Sequence, residues 1–241
     1  MVPLPTLNVG GVSIAYRFDG PLEGPPVVLL HALASTSATW TRLTRALVAE
    51  GRLVIAPDLR GHGGSAWTGD YRLDSVQRDV VGVLDALDIA EFDLIGHSLG
   101  AHVAALLAGR RPDRVRKLVL EDPPPPPRSG PPRVPRRGLA LFLAVQGLFR
   151  RRFDRRMVPQ ILTQLRAPDP LWWAGLAAIK APTLVISGGR RSSIPLERLE
   201  EVAAEIPRCE LMTIDAGHRV HSNRPEEFRD AVQRFLVRTD L

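Results

Sequence analysis

The chain has 241 residues, 44% hydrophobic and 24% charged, which is ordinary globular usage with room for one sizeable α/β domain and excludes wholesale disorder. One cysteine, Cys209, excludes an internal disulfide framework and a cysteine-based metal cluster. A net charge of +6 and an isoelectric point near 10.5 suggest nucleic acid, but ten arginines and only two aspartates fall between Pro123 and Pro170, so the rest of the chain is close to neutral and no nucleic-acid partner is expected.

Taken in order, the elements alternate. Val12 to Phe18 alternates polar and apolar residues and predicts a strand after the Gly10-Gly11 turn. Val27 to Leu30 predicts a short buried strand. Thr39 to Ala49 has Trp40, Leu43, Leu47 and Val48 at helical spacing, and Leu53 to Ala56 is a strand closed by Pro57. Leu73 to Leu87 is an amphipathic helix with Leu73, Val76, Val80, Val83, Leu84 and Leu87 on one face. Phe92 to Ile95 is a strand ending at Gly96, Leu99 to Ala108 a helix, and Val115 to Leu120 a strand.

Five consecutive prolines at 123–127, followed by Pro131, Pro132 and Pro135, then break the rhythm with a stiff extended crossing. Helices are expected over about Leu139 to Arg151 and Arg155 to Leu165. The alternation resumes with a strand at Thr183 to Ile186, a helix at Leu196 to Ala204, a strand at Glu210 to Ile214 and a final helix at Pro225 to Val237. This pattern predicts a mostly parallel sheet with helices on both faces. Residues 1–122 and 181–241 form the expected core, and 123–180 an insert over the carboxyl ends of the strands, where open α/β sheets bind ligands. No run of about 18 apolar residues is present, and Met1 to Gly20 lacks a basic stretch followed by a long apolar one. A cytoplasmic protein without a transmembrane segment is expected.

Gly96-His97-Ser98-Leu99-Gly100 is a G-x-S-x-G string. The string alone is common; its place between a strand and a helix is what matters. Such an elbow strains the serine backbone and stands its hydroxyl above the sheet. A serine needs a base. Asp215-Ala216-Gly217-His218 follows the last strand, whose end shares an edge with Ser98, so His218 is the expected base. His221, three residues on, can support the loop. His218-Arg219-Val220-His221 has metal-like spacing, but no third acidic or thiolate ligand is expected near the pair, and no metal is expected.

Leu30-His31-Ala32, Asp58-Leu59-Arg60-Gly61-His62-Gly63-Gly64-Ser65, Gly96-His97-Ser98-Leu99-Gly100 and Gly217-His218 together resemble the α/β-hydrolase-fold family, in the family's order. The resemblance runs from about Val12 to Phe235 and makes the insert a lid. It implies Ser98 as nucleophile, His218 as base, and the Leu33 and Leu99 amides as the oxyanion hole. Two departures stand out. Ala32 replaces the glycine usual after His31. After strand 183–186, where most members carry an acid, Ser187 to Pro195 holds no carboxylate and Arg191 takes the usual position. Some members, such as haloalkane dehalogenases, place the acid after the earlier strand, which here ends in Glu121-Asp122. Asp122 is the favoured acid, Glu121 the alternative, and a site with no acid the remaining option. Ser187, Ser192 and Ser193 can hydrogen-bond His218 but cannot balance its charge.

His31, Ala32 and His97 are expected in or beside the substrate pocket, with Phe142, Trp172 and Trp173 either lining it or packing the lid. Asp58 is expected to fix the Arg60-to-Gly63 turn. The arginines at 150–152 and 155–156 are a solvated face or a docking surface for an anionic partner. The expected function is hydrolysis of a carboxylic ester or lactone with an apolar acyl part, through an acyl-enzyme and without cofactor. The alternatives are hydrolysis of a carbon–carbon bond in a β-diketone-like substrate, and a non-catalytic ligand-binding protein on the same fold.

Overall fold

Five strands build the centre of the sheet, each around an apolar stretch: β3 (Pro26–Leu30), β4 (Leu53–Pro57), β5 (Phe92–His97), β6 (Val115–Glu121) and β7 (Thr183–Ser187). The computed structural model describes residues 3–131 and 153–238. These strands are parallel to one another and are flanked by β8 (Cys209–Thr213), also parallel, and by antiparallel β2 (Val12–Asp19) and β1 (Thr6–Val9). The order across the eight strands is β1-β2-β4-β3-β5-β6-β7-β8. The fold is thus an α/β-hydrolase architecture with a mostly parallel sheet.

Continuous apolar runs suit strands buried on both faces, since alternate side chains go to opposite sides. Val28, Leu30, Leu94, Leu118 and Leu120 enter one core with α2 (Leu73–Ala86) and α3 (Leu99–Arg110). Val27, Leu29, Ile95, Val119, Leu184 and Ile186 enter the other, with α1 (Thr41–Ala49) and the C-terminal helix Pro225–Val237. Helix α3 is buried nearly all round because a second layer covers it: α4 (Met157–Arg166) and α5 (Pro170–Leu176). Gly109 lets α3 meet α5 closely, since a Cβ there would lie 2.5 Å from the Gly175 oxygen. The remaining α-helices among the described residues are α6 (Leu196–Glu205), the single turn α7 (Val220–Asn223) and α8 (Pro225–Val237).

Three elements are additions to the sequence reading. β1 is a four-residue edge strand with an alternating half-exposed pattern and too little apolar signal to stand out. α5 is capped by Asp169, whose side chain accepts from Trp172 N at 2.9 Å, with Pro170 at the first position. α7 is one turn long. The expected helix Leu139 to Arg151, with Phe142 and Arg150–Arg152, lies outside the described residues.

The five prolines do form a non-helical crossing. Their carbonyls are its working groups, because proline offers an acceptor and no donor. Pro124 O accepts from His102, Pro126 O from the Trp173 indole and Arg198, and Pro127 O from Asp169 N.

Candidate active site

The β5–α3 junction turns at Ser98, which adopts φ +52° and ψ −114°. This region is costly for a residue with a Cβ and persists only where its surroundings over-determine it. Gly96 and Gly100 permit the turn: a Cβ on Gly96 would collide with the Gly100 carbonyl, and one on Gly100 with the Leu30 carbonyl. Ser98 N donates to Glu121 O at 2.9 Å, tying the elbow to the end of β6.

His218 arrives from the loop after β8. Its Nε2 lies 2.9 Å from Ser98 Oγ and its Nδ1 2.7 Å from Asp122 Oδ2. The Asp122 side chain is fully buried, while that of His218 is 32% exposed. Asp122 sits at φ +49°, the turn that ends β6. Gly188 N donates to its Oδ1 at 3.0 Å, and the Ser192 hydroxyl donates to its Oδ2. The 187–195 segment that carries no acid therefore cradles the one on β6. Ser192 reaches the carboxylate rather than the imidazole, and Arg191 points to exposed Asp215 at 3.8 Å.

Glu121, the alternative acid, faces the other way. Its carboxylate, fully buried, accepts from His221 N at 3.0 Å and from His221 Nδ1 at 2.9 and 2.7 Å. His221 Nε2 lies 2.7 Å from Thr39 Oγ1. Burial pushes the Glu121 carboxyl up, but the charge of His221, then of His97, and the His221 hydrogen bonds outweigh it and hold it near 2. His97 packs between the two histidines of the loop, with ring centroids 5.0 Å from His218 and 4.8 Å from His221. Its Nε2 donates to His218 O at 2.6 Å. Burial drives the His97 imidazole down to about 3, so it is neutral at ordinary pH. The expectation of no third ligand near His221 is corrected: His97, Glu121 and His221 place one ligand atom each within 4.8 Å of one another. Glu121 and His221 Nδ1 already hydrogen-bond each other, and His97 Nε2 donates to the His218 carbonyl.

On the other flank, His31 is fully buried with Nδ1 donating to Ala32 O at 2.8 Å and Nε2 accepting from Leu59 N at 2.9 Å. Neither nitrogen is left for a substrate. His62 Nε2 accepts from Ala34 N at 3.1 Å, which pins the loop containing Leu33. Leu99 opens α3, where first-turn amides have no acceptor within the helix. Asp58 accepts from Ser37 N at 2.7 Å and Gly64 N at 2.9 Å, binding this loop to the turn after β4. The insert returns alongside: Phe153 bridges to His62, and Asp154 N donates to Gly61 O at 2.8 Å.

Trp172 and Trp173 pack the 123–180 segment onto α3. Trp172 stacks on His102 with centroids 4.9 Å apart, and its indole donates to His102 O at 3.3 Å. Trp173 donates to Pro126 O at 3.0 Å and lies under the Arg128 guanidinium. The described basic residues of the segment include Arg128, paired with Glu205, and Arg156, paired with Asp154. Among the described residues no helix is long and apolar enough to cross a membrane.

Thr39 and Gly188 are contributors that the sequence did not single out, and Ser192, considered for His218, meets Asp122 instead. These partners meet only through the fold.

The family model described as "alpha/beta hydrolase fold" matches residues 25–178. A 2-hydroxymuconate semialdehyde hydrolase of Pseudomonas sp. (strain CF600) is 32% identical, over 90% of this chain and 88% of that protein. The sn-1-specific diacylglycerol lipase ABHD11 of Mus musculus is 29% identical, over 91% of this chain and 83% of its own. Among solved structures, the enol-lactonase from Burkholderia xenovorans LB400 superposes with a TM-score of 0.82 at 25% identity, covering 97% of this chain and 100% of that one. Match, sheet order and serine elbow agree, and the chain belongs to the α/β-hydrolase enzyme superfamily.

Proposed function

We propose that this hydrolase cleaves a carboxylic ester or lactone through an acyl-enzyme, with Ser98 as nucleophile. The observation that carries the reading is the unbroken line Ser98 Oγ–His218 Nε2, 2.9 Å, and His218 Nδ1–Asp122 Oδ2, 2.7 Å. His218 Nε2 takes the proton as Ser98 Oγ attacks the carbonyl carbon. Asp122 accepts from Nδ1, fixes the tautomer and balances the imidazolium. The Leu33 and Leu99 amides receive the charge that grows on the carbonyl oxygen. Collapse expels the alcohol, which takes the proton from His218; water then repeats the sequence and releases the acid. No metal or organic cofactor takes part.

Segment 123–180 serves as the lid in this reading, with its described part held by Trp172, Trp173 and the proline carbonyls. The diacylglycerol lipase and the enol-lactonase among the similar proteins support an ester or lactone substrate. One observation favours a second reading, hydrolysis of a carbon–carbon bond: the 32% identical relative is named for a semialdehyde rather than an ester. The same three side chains serve either bond. A panel of p-nitrophenyl esters of graded acyl length, simple lactones and a β-diketone separates the readings. Turnover of esters or lactones is expected; turnover of the diketone alone overturns the first reading.

A further inference from the structure

The two carboxylates that end β6 hold two imidazoles three residues apart on one loop: Asp122 meets His218, and Glu121 meets His221. Only the first pair is used by the chemistry above. The second is fully buried at Glu121 and nearly so at His221, whose side chain is 3% exposed. Replacing such a pair by apolar side chains is often neutral or stabilising, so stability alone is a weak reason to keep it.

Its position supplies a stronger reason. The loop before His218 is tied by its backbone: Ala216 N and Gly217 N both donate to Gly188 O, at 3.1 and 2.8 Å. After His218 the chain enters a single helical turn, too short to be rigid by itself. Three contacts tie it: Thr39 Oγ1 on His221 Nε2 at 2.7 Å, Asn223 Nδ2 on Ala216 O at 2.8 Å, and Glu121, which alone of the three also reaches the serine elbow and grips both the main-chain N–H and the ring of His221. The main-chain oxygen of the same residue accepts from Ser98 N. Glu121 is thus bonded to the backbone of the serine and to the loop of the base at once. His97, the serine's other neighbour, adds a second link by donating to His218 O.

We propose that Glu121 and His221 are positioning residues: they fix the His218 loop relative to the Ser98 elbow, so that the 2.9 Å contact between Nε2 and Oγ is held before substrate arrives. Neither touches the reacting atoms. The inference rests on the roles of Ser98 and His218 proposed above. Nucleophilic reactivity is steep in geometry, and a displacement of about 1 Å can cost about 10²-fold in rate.

The test compares wild type, Ser98→Ala, Glu121→Gln, His221→Leu and His221→Asn. Two rates are read well below each variant's melting temperature: labelling by a fluorophosphonate, and kcat and KM on p-nitrophenyl butyrate. Asparagine places an N–H donor close to where Nδ1 stands, so it keeps the grip on Glu121; leucine does not. Glu121→Gln and His221→Leu are expected to lose about 10- to 100-fold in labelling rate and kcat, with KM changed less than about 3-fold. His221→Asn is expected to recover most of that loss. Wild-type labelling rates in both Glu121→Gln and His221→Leu overturn the inference, whatever their melting temperatures. So does a His221→Asn variant as slow as His221→Leu. Should Glu121→Gln fail to fold, the two His221 variants decide. Absence of labelling in wild type overturns the reading of Ser98 itself, and this inference with it.

Discussion

Two histidine clusters stand at the carboxyl end of the sheet, and their partners differ. Around the serine elbow, His218 and His221 face buried carboxylates. Around the loop after β3, His31 and His62 face backbone amides and carbonyls. Burial does not separate the clusters, since His31, His62 and His221 are all buried. The partner does. An imidazole between a carboxylate and a hydroxyl can take a proton and have the charge balanced; one between an N–H and a C=O is locked neutral and serves as a brace.

The largest expected effect lies in the first cluster. Asp122→Asn keeps the shape but favours the wrong His218 tautomer, and kcat is expected to fall about 10⁴-fold. Glu121→Gln, the neighbouring change, is expected to cost far less, about 10- to 100-fold. Steady-state kinetics on one ester checks both; equal or reversed losses would assign the acid to Glu121.

In the second cluster, His62→Ala removes the acceptor of Ala34 N. It is expected to cost roughly 1–3 kcal/mol of stability, the usual penalty for an unpaired polar group. A fall in kcat of about tenfold should accompany it as the Leu33 loop loosens. Urea unfolding and kinetics on the same variant test this, and His62→Gln, which keeps an acceptor, should lie nearer wild type.

The braces also set a pH dependence. Burial lowers the imidazoles of His31 and His62, and lowers His97 to about 3 and His102 to about 4. Below the unfolded value of about 6.5 the unfolded chain therefore binds more protons than the folded one. Stability is full above that value and lost as pH falls through the window toward the folded values. Each imidazole contributes about 1.4 kcal/mol per pH unit there. Urea midpoints measured at about pH 7 and about pH 5 should show a marked fall. Replacing His102 by Gln should shallow the slope by one proton, and an unchanged slope would contradict the neutral assignment.

Much of this was legible in the sequence, for physical reasons. Val27–Leu30 and Leu53–Ala56 are apolar on both faces because both faces are covered; Phe92–Ile95 is apolar except for Asp93, which is paired with Arg52 and Arg116. Helix Pro225–Val237 carries its own start signal. Ser98 was marked by its two flanking glycines and His218 by following a strand at the same edge. The division of labour between Glu121 and Asp122 was harder, because adjacent acids at a strand end give two open assignments. The backbone turn at Asp122, φ +49°, is what sends the two carboxylates to different histidines. Ser192 on Asp122, Thr39 on His221 and His97 on the His218 carbonyl lie 70, 182 and 121 residues from their partners. Contacts so distant leave no local pattern. β1 and the single turn after His218 are too short to show a period.

The central claim is that the Ser98 hydroxyl is activated by His218. It is tested most directly by treating wild type and Ser98→Ala with a fluorophosphonate and weighing the intact proteins. One adduct on wild type and none on the variant is the predicted result. An unlabelled wild type, or an adduct on both, would contradict it.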